Sequence, residues 1–315
     1  MRIVVTGADG FVGGWLIRDL LRAGHHVVGA IRVGGGPVPL PPSDRLRVQW
    51  VEFDLLASES VTALAALGGD AVIHLAAVAS GADARHDPGY AWAVNAAGTA
   101  RLCEAYGRQR QAGRNDPLVV VVSSGEVYGE APGRPLTEDD PPHPRSPYGA
   151  SKWGAEIGAF EVASRYGLKV IVARAFPHTG PGQSDKYVIP ALAQRLRAAK
   201  RIGAPAIKTG NLSPVRDLLD VRDVVTAYRL LAERGEPGVV YNVASGQGTS
   251  LEAVVGEFCR LLALRIILET DPQLLRANDI NYLVGDSARI RQAVQWAPTI
   301  PLEQTLRELL DAQTD

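Results

Sequence analysis

The sequence predicts a doubly wound α/β fold: a parallel sheet covered by helices on both faces, with a smaller C-terminal lobe. Three observations lead there. Short apolar runs rich in β-branched residues alternate with helical patterns at residues 3–6, 27–31, 48–53, 71–75, 118–123 and 169–173. The first run passes through a glycine-rich turn straight into a helical pattern, and after Ala173 the alternation breaks into a loop-rich stretch. Runs such as Leu118-Val119-Val120-Val121-Val122 are apolar at every position, as strands buried on both faces must be. Strands alternating with helices then give a parallel sheet.

Between the strands, helical patterns occupy residues 13–22, 58–67, 90–110 and 148–166. The last two are long and carry many small residues. They suit either a helix-pair surface in a homodimer or a simple cover for the sheet, and a homodimer is the assembly expected. Residues 33–43 and 129–147 read as surface loops, the second with six prolines. Beyond residue 176 come Gly180-Pro181-Gly182, a helix at 190–200 and a turn-rich stretch at 209–214. A helix at 220–234 and a strand at 239–243 return to the main sheet. The first domain is therefore residues 1–175, rejoined by 216–245, and the second lobe is 176–215 with 246–315.

A length of 315 residues fits about two lobes. With 46% hydrophobic residues, 21% charged residues and a formal net charge of -1, the composition is that of an ordinary soluble protein, with no nucleic-acid or membrane partner expected. No apolar run approaches the roughly 18 residues of a membrane span. The chain opens directly on a strand pattern, without a charged leader or cleavage site. Its two cysteines, Cys103 and Cys259, sit in amphipathic helical patterns and read as buried thiols, so a reduced, cytoplasmic setting is expected. His25, His26, His74, His86, His143 and His178 show no metal-ligand spacing, and no metal is expected.

The chemistry begins at Gly7-Ala8-Asp9-Gly10-Phe11-Val12-Gly13, three glycines spaced across a strand-to-helix turn. A tight turn, close approach of backbone to a pyrophosphate and close helix packing each require a missing Cβ. The helix N-terminus adds free N–H groups and a favourable dipole, so the turn reads as a dinucleotide site. The second strand ends Gly29-Ala30-Ile31-Arg32, with no acid to hold a ribose 2′-hydroxyl. Arg32 can instead pair with a 2′-phosphate through its planar fork of donors, which favours NADP, with NAD possible. Asp54, after the third strand, suits an acceptor for the adenine amino group or a helix N-cap.

Tyr148 and Lys152, four apart, share one face of the helix that follows the proline-rich loop. A phenol working near neutral pH needs help, and a neighbouring ammonium favours the phenolate. Tyr148 can then act as general acid or base on a carbonyl or hydroxyl. The strand at 118–123 delivers Ser123 and Ser124 to the carboxyl edge of the sheet, where doubly wound folds bind ligands.

These segments, taken with His74-Leu75-Ala76-Ala77, Asn95-Ala96-Ala97-Gly98-Thr99, Ser124-Gly125-Glu126-Val127-Tyr128-Gly129 and Ser146-Pro147-Tyr148-Gly149-Ala150-Ser151-Lys152, resemble the extended short-chain dehydrogenase/reductase family, in the right order. The second lobe narrows the resemblance. Arg174-Ala175-Phe176-Pro177-His178-Thr179-Gly180-Pro181-Gly182-Gln183, Gly210-Asn211-Leu212 with Arg216-Asp217, Leu275-Arg276 and Val284-Gly285-Asp286 are similar to the GDP-6-deoxy-4-keto-mannose reductases, relatives of the GDP-mannose 4,6-dehydratases.

The resemblance implies a catalytic set of Ser124, Tyr148 and Lys152, with Glu126 beside it. It implies that Gly7, Gly10, Phe11, Val12, Arg32, Asp54, Leu55, Leu75, Ala76 and Ala77 hold the cofactor together with Tyr148 and Lys152. Ser124, Glu126, His178, Asn211, Arg216 and Arg276 would hold the nucleotide-sugar, the two arginines toward its diphosphate. Two positions depart from the family: Pro177 replaces an asparagine and Ala277 replaces a proline. The expected reaction is NADPH-dependent reduction of the C4 ketone of a nucleotide-linked 4-keto-6-deoxy-hexose, with a GDP-sugar favoured. The alternatives are a 4,6-dehydratase or epimerase on the same fold and, further off, a non-catalytic dinucleotide sensor. In related dTDP-glucose dehydratases an acid and then a glutamate follow the catalytic hydroxyl. Here Gly125 stands where the acid would be, with Glu126 after it, although the GDP-mannose dehydratases also lack an aspartate there.

Overall fold

The computed structural model describes residues 1–35, 40–130, 133–275 and 280–312. Six strands come first in the chain: β1 (Arg2–Thr6), β2 (His26–Ile31), β3 (Val48–Glu52), β4 (Ala71–His74), β5 (Leu118–Ser124) and β6 (Lys169–Ala175). The helices among them are α1 (Phe11–Arg22), α2 (Pro42–Arg45), α3 (Ser58–Ala66), α4 (Gly81–His86), α5 (Pro88–Trp92), α6 (Thr99–Gln111) and α7 (Pro147–Tyr166). Next come β7 (His178–Thr179), α8 (Val188–Ile202), β8 (Ala206–Thr209), β9 (Val215–Asp217), β10 (Leu219–Asp220), α9 (Val221–Arg234) and β11 (Val240–Val243). The chain closes with β12 (Gly248–Ser250), α10 (Leu251–Leu261), β13 (Ile267–Thr270), β14 (Tyr282–Leu283), α11 (Ala288–Val294) and α12 (Leu302–Ala312).

The main sheet has seven parallel strands in the order β11-β6-β5-β4-β1-β2-β3. The strand order reverses between β1 and β4, and the crevice above such a reversal is where doubly wound sheets take ligands. Alternation along each strand feeds two cores. On β5, Val120 packs with α1, α9 and α11, while Val119 and Val121 pack with α3, α6 and α7. A third core joins α8, α10 and α12 in the small lobe.

The return of the chain runs through α9, packed on α1, and β11, paired with β6. Two boundaries differ from the sequence reading. Arg216 and Asp217 stay in the small lobe, where β9 pairs with β12 and β14. Ile290, Val294 and Trp296, assigned by sequence to the small lobe, bury themselves in the large core, because their apolar face meets α9 and β11. Asp217 joins the crossings. Fully buried, it accepts the Ser245 amide (2.8 Å) and hydroxyl (2.6 Å), the Gly246 amide (2.9 Å) and the Gly285 amide (3.2 Å).

The single helix expected over 90–110 is interrupted. Residues Ala93–Gly98 form a π-helical turn between α5 and α6. The cause is tertiary. The Asn95 carbonyl accepts the Thr99 hydroxyl at 2.6 Å, and the Asn95 side chain reaches Val78 N and O and Ser151 Oγ. Cys103 is buried and Cys259 half-buried, and neither is in a disulfide. Among the described residues, no helix is long and apolar enough to cross a membrane.

Candidate active site

The glycine turn opens above the strand reversal. Gly7 has φ +67°, and a Cβ there would lie 2.8 Å from Ala76 N, on the loop after β4. Gly10 begins α1 in extended conformation with no side-chain cap, and the first helical turn carries no acid. The amides of Phe11, Val12 and Gly13 are those that any helix N-terminus leaves without intrahelical acceptors. A Cβ at Gly13 would come within 2.8 Å of Ala8 Cα, so helix and turn pack backbone to backbone. The result is an anion cradle that side chains would fill, which fits a pyrophosphate.

Its second wall is Leu75, Ala76 and Ala77, fixed from beneath by a buried chain of hydrogen bonds. Ala76 N donates to Thr6 Oγ1 (3.2 Å), and Thr6 Oγ1 meets His74 Nδ1 (2.7 Å). His74 Nε2 meets Thr99 Oγ1 (3.1 Å), which donates to the Asn95 carbonyl. Since Thr99 gives its proton to Asn95, His74 donates from Nε2 and accepts from Thr6 at Nδ1. Burial, with the nearby Lys152 charge, pushes His74 down to about 3, so the ring is neutral.

Arg32 follows β2 with an exposed side chain. Asp54 lies after β3, but it is not a helix cap: α3 begins after Ala57, and Asp54 Oδ1 instead accepts Leu56 N at 2.8 Å in a turn. Leu55 is buried against Gly98, where a Cβ would meet its Cγ at 2.7 Å.

Ser124 ends β5, and its hydroxyl accepts Glu126 N at 3.1 Å. Helix α7 starts at once after Ser146, which caps it by accepting Gly149 N (3.0 Å), with Pro147 in the first turn. Tyr148 therefore stands in the first turn, half-buried beside Ser124. Burial and then the Glu126 charge push its phenol up, while the Ser124 hydroxyl opposes them. The phenol is accordingly a protonated donor at neutral pH. Lys152 is buried and donates to the Val122 carbonyl. The sequence argument set this ammonium directly against the phenol. In the structure the ammonium is turned to a strand carbonyl, and Lys152 is not among the groups that shift Tyr148.

Glu126 lies on the short turn Gly125–Tyr128, and its Oε2 accepts the Ser146 hydroxyl at 3.0 Å. The position before it is tight: a Cβ on Gly125 would stand 3.1 Å from the ring of the fully buried Phe176, so any side chain there would need that ring to give by a few tenths of an ångström. His178 on β7 is half-buried, and its Nδ1 lies 2.9 Å from the Phe176 carbonyl. Burial pushes this imidazole down as well. The Pro177 carbonyl accepts Leu219 N (3.0 Å). Asn211 is exposed in a turn closed by Ser213 N and Oγ (3.0 and 2.9 Å), and Arg216 on β9 donates to the Val215 carbonyl (3.0 Å). These contacts tie both residues to the small lobe. Arg276 and Ala277 lie outside the described residues.

Sequence reasoning missed three contributors. Tyr187, just before α8, lies near enough to act on the Tyr148 phenol. Asn95 reaches α7 through the Ser151 hydroxyl, which donates to the Tyr148 carbonyl (2.8 Å). Glu156 sits one turn beyond Lys152, a spacing visible in the sequence but indistinguishable there from an exposed ion pair.

A glycine cradle over the strand reversal and a Ser, Tyr and Lys set at the carboxyl edge of β5 together define an NAD(P)-dependent oxidoreductase. More narrowly, the chain belongs to the GDP-mannose 4,6 dehydratase family, whose profile matches residues 4–309. It is 34% identical to the GDP-6-deoxy-D-mannose reductase of Pseudomonas aeruginosa over 98% of this chain and 96% of that one. Its fold matches the solved structure of RMD from Pseudomonas aeruginosa complexed with NADPH, at a TM-score of 0.82 and 34% identity, over 99% of this chain and 98% of that one. It also matches the UDP-glucose 4-epimerase of Thermus thermophilus in complex with NAD, at a TM-score of 0.85 and 28% identity, over 99% of this chain and 98% of that one.

Proposed function

We propose that the protein reduces the C4 ketone of GDP-4-keto-6-deoxy-mannose with NADPH. The observation that carries this reading is the likeness to the Pseudomonas reductase along 98% of the chain, second lobe included, with a protonated Tyr148 beside Ser124 to supply the proton. The bound nicotinamide supplies the hydride. Gly7, Gly10, Phe11 and Val12 hold its pyrophosphate, Arg32 the 2′-phosphate, Asp54 and Leu55 the adenine, and Leu75, Ala76 and Ala77 the wall of the pocket. Ser124 holds the carbonyl oxygen, Tyr148 gives its proton to the oxygen as negative charge develops there, and Lys152 binds the nicotinamide ribose. Glu126 and His178 contact the sugar. Asn211 contacts the nucleotide-sugar, and Arg216 and Arg276 hold its diphosphate. The likeness to the Pseudomonas reductase supports the substrate, and the likeness to the NADPH complex of RMD supports the cofactor.

A second reading, dehydratase or epimerase, is favoured by Glu126, a carboxylate near enough for its charge to act on the Tyr148 phenol. One experiment separates the two. The protein is incubated with GDP-mannose and catalytic NADP, and separately with the 4-keto-6-deoxy sugar and excess NADPH. Stoichiometric NADPH consumption in the second mixture alone is the expected result, and keto-sugar formation in the first overturns the reading.

The same reading includes a homodimer through α6 and α7, around which Tyr90, Trp92 and Ile157 are exposed. It also includes a cytoplasmic setting, consistent with two cysteines outside any disulfide.

A further inference from the structure

Glu156 is buried on α7, its side chain 4% exposed. Ser123 at the end of β5 donates to its Oε1. Arg174 on β6 grips both of its oxygens, Nε at 3.1 and 3.2 Å and Nη2 at 2.8 Å. The guanidinium is itself buried and stacks 4.7 Å from the centroid of the Tyr128 ring. A buried ion pair is poor evidence of stability, since apolar residues of the same volume often pack as well or better. Its placement therefore asks for another account.

The carboxylate is the helical neighbour of Lys152, which is buried with a neutral carbonyl as its hydrogen-bond partner. A carbonyl dipole does not balance a full charge. Burial pushes the Lys152 ammonium down to about 8, and Glu156 is the group that acts in the opposite sense. The elements packed against α7 bring His74 on β4, Glu126 after β5 and Arg174 on β6 to it, and Tyr148 stands one turn before Lys152 on α7 itself. His74 is neutral, and the Tyr148 phenol is protonated. On the helices packed across α7, Asp83 and Arg85 of α4 are exposed, and Glu104 and Arg108 of α6 pair with each other.

We propose that Glu156 is a positioning residue that keeps Lys152 in its ammonium form behind Tyr148, with Arg174 setting how strongly it does so. The proposal rests on the reading that Lys152 serves the catalytic set. Glu156 touches neither substrate nor cofactor, and it acts through Lys152. Arg174 draws part of the carboxylate's field onto itself, so the two members of the pair have opposite effects on the lysine.

The test needs no turnover, so its failure is distinct from failure of the reductase reading. The chain has five lysines, Lys152, Lys169, Lys186, Lys200 and Lys208, few enough for each labelled side-chain carbon to be followed by NMR as pH is raised. Lys152 is assigned by its loss in Lys152→Met. In the cofactor-free protein Glu156→Gln is expected to lower the Lys152 midpoint by about one pH unit or more, while Arg174→Met raises it. A residue that merely held the fold would not move the midpoint in opposite directions in the two variants. Should either single variant fail to fold, the double variant, which leaves no unpaired charge, carries the test with a midpoint below that of the unmodified protein. An unmoved midpoint, or two single variants that shift it the same way, overturns the proposal.

Discussion

The Ser146 hydroxyl serves two partners at once, accepting the Gly149 amide to cap α7 and donating to Glu126 Oε2, each at 3.0 Å. The cap that starts the helix of Tyr148 is thus also the brace of the carboxylate that faces Tyr148. Ser146→Ala should lose the cap, about 1 kcal/mol of stability, and with it the brace. Chemical denaturation would show the first loss and a lowered kcat the second, whereas Ser146→Thr should keep both. Unchanged turnover in Ser146→Ala would mean that the position of Glu126 does not matter to the reaction.

Tyr148→Phe should cut turnover about a hundredfold or more while leaving NADPH affinity nearly intact, the usual scale for loss of a general acid. Burial keeps the phenol protonated, so it holds the proton that the reaction needs. The measurements are steady-state turnover and cofactor titration by fluorescence. Near-normal turnover would move the proton donor elsewhere.

Arg32 should choose the cofactor. NADPH is expected to bind more tightly than NADH, and Arg32→Ala should narrow that gap by weakening NADPH alone. Equal dissociation constants in the unmodified protein would remove Arg32 from the site.

His74 should make the fold sensitive to acid. Its ring sits near 3 in the folded chain and near 6.5 when exposed, so the unfolded chain takes up the proton first as pH falls. The stability it contributes is complete above about 6.5 and is lost toward about 3, at no more than about 1.4 kcal/mol per pH unit. Urea denaturation across that window should show a shallower slope for His74→Gln. An identical slope would show that other groups dominate.

The sheet was legible because β5 and its neighbours, buried on both faces, leave an unbroken apolar run in the sequence. The glycine turn was legible too, since Gly7 and Gly13 are dictated by local geometry. What escaped was set across the chain. The π-helical turn follows from Asn95 bonding to Val78 and Ser151, contacts that no local pattern announces. The pairing of Glu156 with Arg174 leaves no mark in the sequence, because only the fold brings α7 and β6 together. Nor does the sequence mark the packing of the Phe176 ring beside Gly125.

Asp217 gathers amides from the ends of β11 and β14 into one buried carboxylate. Three passes of the chain between the lobes are thereby knotted at a single residue, and neither lobe is a detachable module. Exchanging the small lobe for that of a relative, the obvious route to a new substrate, would have to move every crossing segment together with this acid. A graft cut between Asp217 and Ser245, for example at the start of α9, would strand the carboxylate without its donors, and the chimera would fail in folding before its chemistry was ever reached.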